Sequence, residues 1–232
     1  MSTHHQEEHF ESSEFIKDIV IGMADGLTVP FALAAGLSGA VDSNTLVVTA
    51  GIAEIAAGSI AMGLGGYLSG VTEREHYDSE ERREYYEVKH YPEKERQEIK
   101  EIFALYGISE HLQNEIADEL AKDEKKYVDF MMRYELGLER PDPNRARNSA
   151  ITIGISYVVG GLIPLLPYMV MHDVHQSLLV SAAVTLVALF VFGFFKSRIT
   201  GQQPFAGALR TMLIGAAAAA VAYAIAAFSQ RL

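Results

Sequence analysis

The chain has 232 residues, 49% of them hydrophobic and 21% charged, with no cysteine and a formal net charge of −11. The lack of cysteine excludes disulfides, zinc–thiolate sites and iron–sulfur clusters. The acidic excess argues against nucleic acid as a partner and favours cations. The charge is also segregated: 21 of 30 acidic and 14 of 19 basic residues fall between Thr72 and Arg147. The remainder is nearly all apolar, so the chain reads as a membrane protein with one polar insert.

The first residues, MSTHHQEEHF, are acidic and polar, unlike the basic start of a secretory signal peptide. Residues 1–17 are therefore expected to form a polar tail, in which His4, His5 and His9 are weak candidates for metal binding. Five apolar stretches follow, at about 18–41, 45–71, 149–171, 177–195 and 206–228. Each is near the ~20 residues that a bilayer requires. The predicted organisation is thus spans one and two over 18–71, an insert over 72–147, and spans three to five over 148–232. The short connections after spans one and three carry no Lys or Arg, whereas the fourth loop holds Lys196, Arg198 and Arg210 and the insert fourteen basic residues. The positive-inside bias puts the N-terminus, the insert and the fourth loop in the cytosol, and the C-terminus on the far side.

The insert reads as three helices. The second span runs on past Val71 until Pro92 stops it. A second helix covers about 93–106 and ends at Gly107, and a third starts after Ser109 and ends near Gly137. Pro141 and Pro143 mark the return to the membrane. There is no Gly-rich phosphate loop and no nucleophile elbow, which argues against an ATP-driven pump and against a catalytic residue of that kind.

Two carboxylates interrupt the spans: Asp25 in the first and Glu54 in the second. A carboxylate at bilayer depth costs roughly 2.5–3.5 kcal/mol on insertion scales, so it normally faces a polar cavity and handles ions or protons. Glu54, Gly58 and Met62 are spaced by four and share a helix face, continued by Gly66 and Gly70. Asp25 and Met62 fall at similar depth from the same side, so a carboxylate and a thioether can face one cavity. A thioether beside carboxylates favours Fe²⁺, Mn²⁺ or Co²⁺ over Mg²⁺ and Ca²⁺. The competing readings are that Met62 simply packs and that the carboxylates make structural hydrogen bonds. Thr49, Ala53, Ala57, Ala61, Gly65 and Ser69 form a second row of small residues, suited to intrachain packing or to a dimer seam.

In the insert, Glu84 and Glu87 are three apart, and Glu95 and Glu98 repeat that spacing after Pro92. Met131, Met132 and Glu135 lie within about one turn of each other. Di-iron bundles usually add Glu-x-x-His to such carboxylates, and no His follows these glutamates at that spacing. With Lys94, Arg96 and Lys100 interleaved, composition alone reads them as a solvated charged face.

DGLTVPFALAAGLSGA at Asp25–Ala40, followed by AEIAAGSIAMGLGGYLS at Ala53–Ser69, resembles the vacuolar iron transporter family of five-span iron–proton exchangers. The similarity covers nearly the whole chain, insert included. It implies an all-α polytopic membrane protein, working as a homodimer in the lipid bilayer, that moves Fe²⁺ out of the cytosol in exchange for protons. By the same resemblance Asp25, Glu54 and Met62 match in-membrane metal and proton residues. Glu84, Glu87, Glu95, Glu98, Met131, Met132 and Glu135 match ligands of a cytosolic metal-binding domain, overturning the solvated-face reading. Fe²⁺ is then transported and domain-bound ion, with Mn²⁺ a further candidate, and no prosthetic group is implied. The host membrane is expected to be vacuolar or, in a prokaryote, the cell membrane. The competing classes are a membrane-tethered carboxylate ferroxidase or iron-storage enzyme, and a metal-sensing scaffold without flux.

Overall fold

The computed structural model describes residues 12–229 and is helical throughout, with no strand among them. Eight helices follow in order: α1 (Ser12–Ser38), α2 (Asn44–His90), α3 (Pro92–Leu105), α4 (Glu110–Leu120), α5 (Glu124–Tyr134), α6 (Arg145–Val170), α7 (Val174–Ile199) and α8 (Pro204–Ser229). Five of these, α1, α2, α6, α7 and α8, are long and apolar enough to cross a membrane. α1 begins at Ser12, inside the segment expected to be a polar tail, and α2 runs on to His90, because helical hydrogen bonding continues into the flanking polar residues. The three histidines at positions 4, 5 and 9 lie outside the described residues.

The chain divides into two compact units: the segments up to Tyr67 and from Ala146 onward, and the segment Leu68–Arg145. The first unit is the helical bundle. Its helices approach closely where glycine replaces a side chain. A Cβ on Gly26 of α1 would lie 2.3 Å from the Tyr157 carbonyl oxygen of α6, and one on Gly160 would lie 3.0 Å from the Leu27 amide nitrogen. The core joins Ala34 of α1, Val47 and Ile55 of α2, Leu165 and Tyr168 of α6, and Val174 of α7. Buried polar atoms tie the helices together: Ser38 Oγ and Tyr168 Oη share a hydrogen bond of 2.8 Å, and Ser181 Oγ donates to the Pro164 carbonyl at 2.7 Å. Large apolar side chains such as Ile60, Leu179 and Ile225 are instead exposed, the inverse of a water-soluble domain and the expected surface towards lipid.

The second unit holds the continuation of α2 with α3, α4 and α5. Pro92 stops α2 as expected and then occupies the first turn of α3, where its missing N–H costs nothing. Gly107 and Gly137 adopt φ of 74° and 65°, ending the helices before them. One expectation fails: the single helix predicted from Ser109 to Gly137 is two. The chain breaks at 121–123, and the Asp123 carboxylate accepts from the Lys126 amide at 3.2 Å to cap α5. This local bond competes with helical continuation. The break folds α5 back, so that Tyr127 and Met131 join Ile99 and Ala117 in one core, and Val128 and Met132 join Tyr77 in another.

Candidate metal pathway and carboxylate cluster

Asp25, Glu54 and Met62 are each half-buried within the bundle unit. On the face that carries Glu54 and Met62, Gly58 and Gly66 approach α6, where a Cβ would meet Tyr157 and Ile153. Tyr157 of α6, 2% exposed, donates its phenol proton to Glu54 Oε1. A Cβ on Gly58 would lie 2.4 Å from that phenol oxygen, so glycine one turn below Glu54 provides the socket for the hydroxyl. The second carboxylate oxygen, Oε2, is buried and has no hydrogen-bond partner. Burying a carboxylate oxygen is costly unless a proton or a cation stands beside it. Because the Tyr157 backbone also meets Gly26, one residue links the helix of Asp25 to the carboxylate of Glu54. Pro30 contributes nearby: having no N–H, it leaves the Gly26 carbonyl without its helical donor.

Within the Leu68–Arg145 unit, Glu84 of α2, Glu95 of α3 and Glu135 just past α5 each offer a carboxylate oxygen, all within 4.8 Å of one another. Glu84 is 1% exposed and Glu95 0%, while Glu135 opens to the surface. Burial, more than the neighbouring charges of Glu135 and Glu87, pushes Glu84 up to about 7. Burial first, then the charges of Glu98, Glu84 and Glu135, pushes Glu95 up to about 8. Glu135 is raised as well, by burial and then by Glu98. One oxygen of Glu84 and both of Glu95 are buried without a hydrogen-bond partner. Three desolvated acids drawn this close repel one another when ionised, and their oxygens form the kind of set that can hold a metal ion.

Glu87 and Glu98 stand at the rim. Lys94 bridges them, at 3.9 Å and 2.9 Å, and Arg83 reaches Glu84 at 3.8 Å and Glu87 at 3.6 Å. The rim carboxylates thus have ammonium and guanidinium partners, exposed and exchangeable, whereas the inner trio lacks such direct pairing apart from the long Arg83 contact. Met131 and Met132 are fully buried, and the side chains that surround them in the two small cores are largely apolar. Sequence reasoning missed Tyr127 and Tyr157. Tyr127 is 2% exposed, and its hydroxyl has no partner. Burial and then the charge of Glu95 push that phenol upward, so it stays a neutral donor beside the cluster. Its position four residues before Met131 was the available signal, a shared inner face of one helix.

A family model described as the VIT family matches residues 16–227. Vacuolar iron transporter 1 of Oryza sativa subsp. japonica is 53% identical over 223 residues, covering 96% of this chain and 88% of that protein. Vacuolar iron transporter 1 of Arabidopsis thaliana is 52% identical, with 96% and 89% covered. Protein CCC1 of Saccharomyces cerevisiae is 42% identical over 192 residues, covering 80% of this chain and 58% of that one.

Proposed function

The chain belongs to the VIT family, and on that premise we propose that it carries Fe²⁺ out of the cytosol across a vacuolar-type or cell membrane in exchange for protons. The observation that carries the reading is Glu54 in the second apolar helix, held by Tyr157 on one oxygen and left unpartnered on the other. Relatives named vacuolar iron transporters supply the identity of the ion. Transport, and not catalysis, is the activity; Mn²⁺ is a second cargo of similar ligand preference.

The mechanism has two stages. The insert faces the cytosol, where Glu84, Glu95 and Glu135 take up the ion as they release protons, and Glu87 and Glu98 exchange their bond to Lys94 for it. Met131 and Met132 bias the site to softer metals. In the second stage the ion reaches Asp25 and Met62 within the bundle, and Glu54 lies deeper. A ligating carboxylate must be deprotonated, so metal and proton compete for the same oxygens and their fluxes are coupled. Tyr157 keeps Glu54 turned so that only Oε2 takes part in that competition. The active form is a homodimer. In its favour, Thr49, Ala53, Ala57, Ala61, Gly65 and Ser69 of α2 are all exposed on the single chain, with open space around Gly65. Their exposure leaves the row open to a second copy of the chain.

Reconstituted liposomes test this directly. The wild-type protein admits external Fe²⁺, and Asp25→Ala abolishes entry while the protein remains folded and dimeric. A ferroxidase predicts oxygen consumption on adding Fe²⁺ with no entry into the lumen. The cluster of three carboxylates without a histidine argues against that chemistry.

A further inference from the structure

No acidic residue follows Asp173 in the sequence, yet the turn between α7 and α8 and its flanks hold Lys196, Arg198 and Arg210. Among the described residues neither Lys196 nor Arg210 forms an ion pair, in a chain whose net charge is −11. Both line a cavity of about 620 Å³ together with Thr200, Gln202, Gln203 and Ile214. Its floor is set by the close approach of α7 and α8: a Cβ on Gly193 would lie 2.7 Å from Thr211 Oγ1. The Thr200 and Thr211 hydroxyls already donate to the carbonyls of Lys196 and Gly207, at 3.1 Å and 2.9 Å. Free donors therefore come from the ammonium, the guanidinium and the two glutamine amides. The first turn of α8 begins at Pro204 and brings Ala206 to the cavity, at the end of the helix where amides lack intrahelical partners.

The wall changes character along α8. Arg210 is followed one turn later by Ile214, which is 58% exposed and lines the same cavity. A small hydrated anion needs no apolar wall, whereas a lipid whose charged head enters beside Lys196 and whose chain runs along Ile214 fits both halves. We propose that this cavity binds the phosphate-bearing headgroup of an anionic membrane lipid. Positive-inside placement accounts for basic residues in such a loop; it does not account for a cavity whose lining, among the described residues, carries two cations and no acidic side chain. The site requires no assumption about the ion that the bundle carries.

Native mass spectrometry of the full-length protein in detergent tests it, with dioctanoyl phosphatidylinositol 4-phosphate, dioctanoyl phosphatidylcholine and inorganic phosphate as probes. The anionic lipid is expected to be retained and phosphatidylcholine is not. Lys196→Gln with Arg210→Gln should weaken retention roughly 30-fold, from about tenfold per 1.4 kcal/mol and about 1 kcal/mol per cation near a membrane surface. The charge-preserving pair Lys196→Arg with Arg210→Lys should retain the lipid, which separates loss of charge from loss of fold. Arg82→Gln with Lys89→Gln removes the same charge from the insert and should leave retention within about twofold. The proposal is overturned by equal loss in that control pair, by unchanged binding in the cavity pair, or by inorganic phosphate displacing the lipid at equal concentration.

Discussion

Replacing Glu95 by Gln isolates the electrostatic cost stored in the carboxylate cluster. Glu95 is 0% exposed and is pushed up from 4.5 to about 8. The folded protein therefore keeps a proton that the unfolded chain has already released between those two values. Stability in the absence of metal is then greatest on the acid side of this window and falls as pH rises through it. At ~1.4 kcal/mol per pH unit the full displacement corresponds to roughly 5 kcal/mol. Part of that is repulsion shared with Glu84, Glu98 and Glu135, so the single substitution should recover on the order of 2–4 kcal/mol. Glutamine has the shape of the protonated acid and cannot ionise. At pH 9 with chelator, the variant should therefore resist urea better than wild type by that amount. At pH 5.5, only one unit above the ordinary value of 4.5, the difference should shrink to about 1 kcal/mol. Pulse proteolysis of the full-length protein, scored by cleavage between Pro92 and Tyr134, reads the local stability. A difference between variant and wild type that does not change from pH 5.5 to pH 9 would refute the reasoning. Adding Fe²⁺ or Mn²⁺ at pH 8 should reverse the order, because the ion stabilises the ionised trio and only wild type presents all three carboxylates.

Three other outcomes follow from the same geometry. Met62→Leu preserves volume, so a packing role predicts a cost under about 1.5 kcal/mol and unchanged flux; a ligand role predicts a clear loss of Fe²⁺ transport in a stable protein, and flux assays with Fe²⁺ against Mn²⁺ decide between them. Gly58→Ala places a methyl 2.4 Å from the Tyr157 phenol oxygen and should lower the transport rate at least tenfold, with Tyr157→Phe doing the same through loss of one hydrogen bond; in a double-mutant cycle, Tyr157→Phe should add little to Glu54→Gln if it acts through that carboxylate. Gln at positions 84, 87, 95 and 98 together should abolish calorimetric metal binding by the insert and slow transport most at low Fe²⁺, with recovery at saturating metal.

The five spans were legible because hydropathy and length nearly suffice when every backbone polar group must be satisfied within a helix. Proline and glycine marked the ends of the insert helices for the same local reason. The break before Asp123 was not legible: Ala121, Lys122 and Glu124 are good helix formers, and the capping bond of Asp123 becomes decisive only when α5 can bury Tyr127 and Met131 against Ile99. Burial was the other hidden quantity. Glu95, flanked by Lys94 and Arg96, has the sequence of a solvated face, yet it is the most deeply buried acid in the unit. Burial moves Glu84 from the ordinary carboxylate range up to about 7 and Glu95 up to about 8. Tyr157 touches Glu54 across 103 positions of sequence, a pairing that no local spacing announces. The row Glu54, Gly58, Met62 did announce its shared face, and the glycine in it has a specific tenant, the Tyr157 hydroxyl.

In the proposed mechanism metal and proton exchange at the same carboxylates. Its most direct test is Fe²⁺ entry into liposomes containing the wild-type protein, recorded together with lumenal pH, with and without an imposed acid-inside gradient. The gradient should accelerate Fe²⁺ entry, the lumen should become more alkaline in step with it, and Asp25→Asn should lose both signals together. Fe²⁺ entry that ignores the gradient and moves no protons would contradict that mechanism.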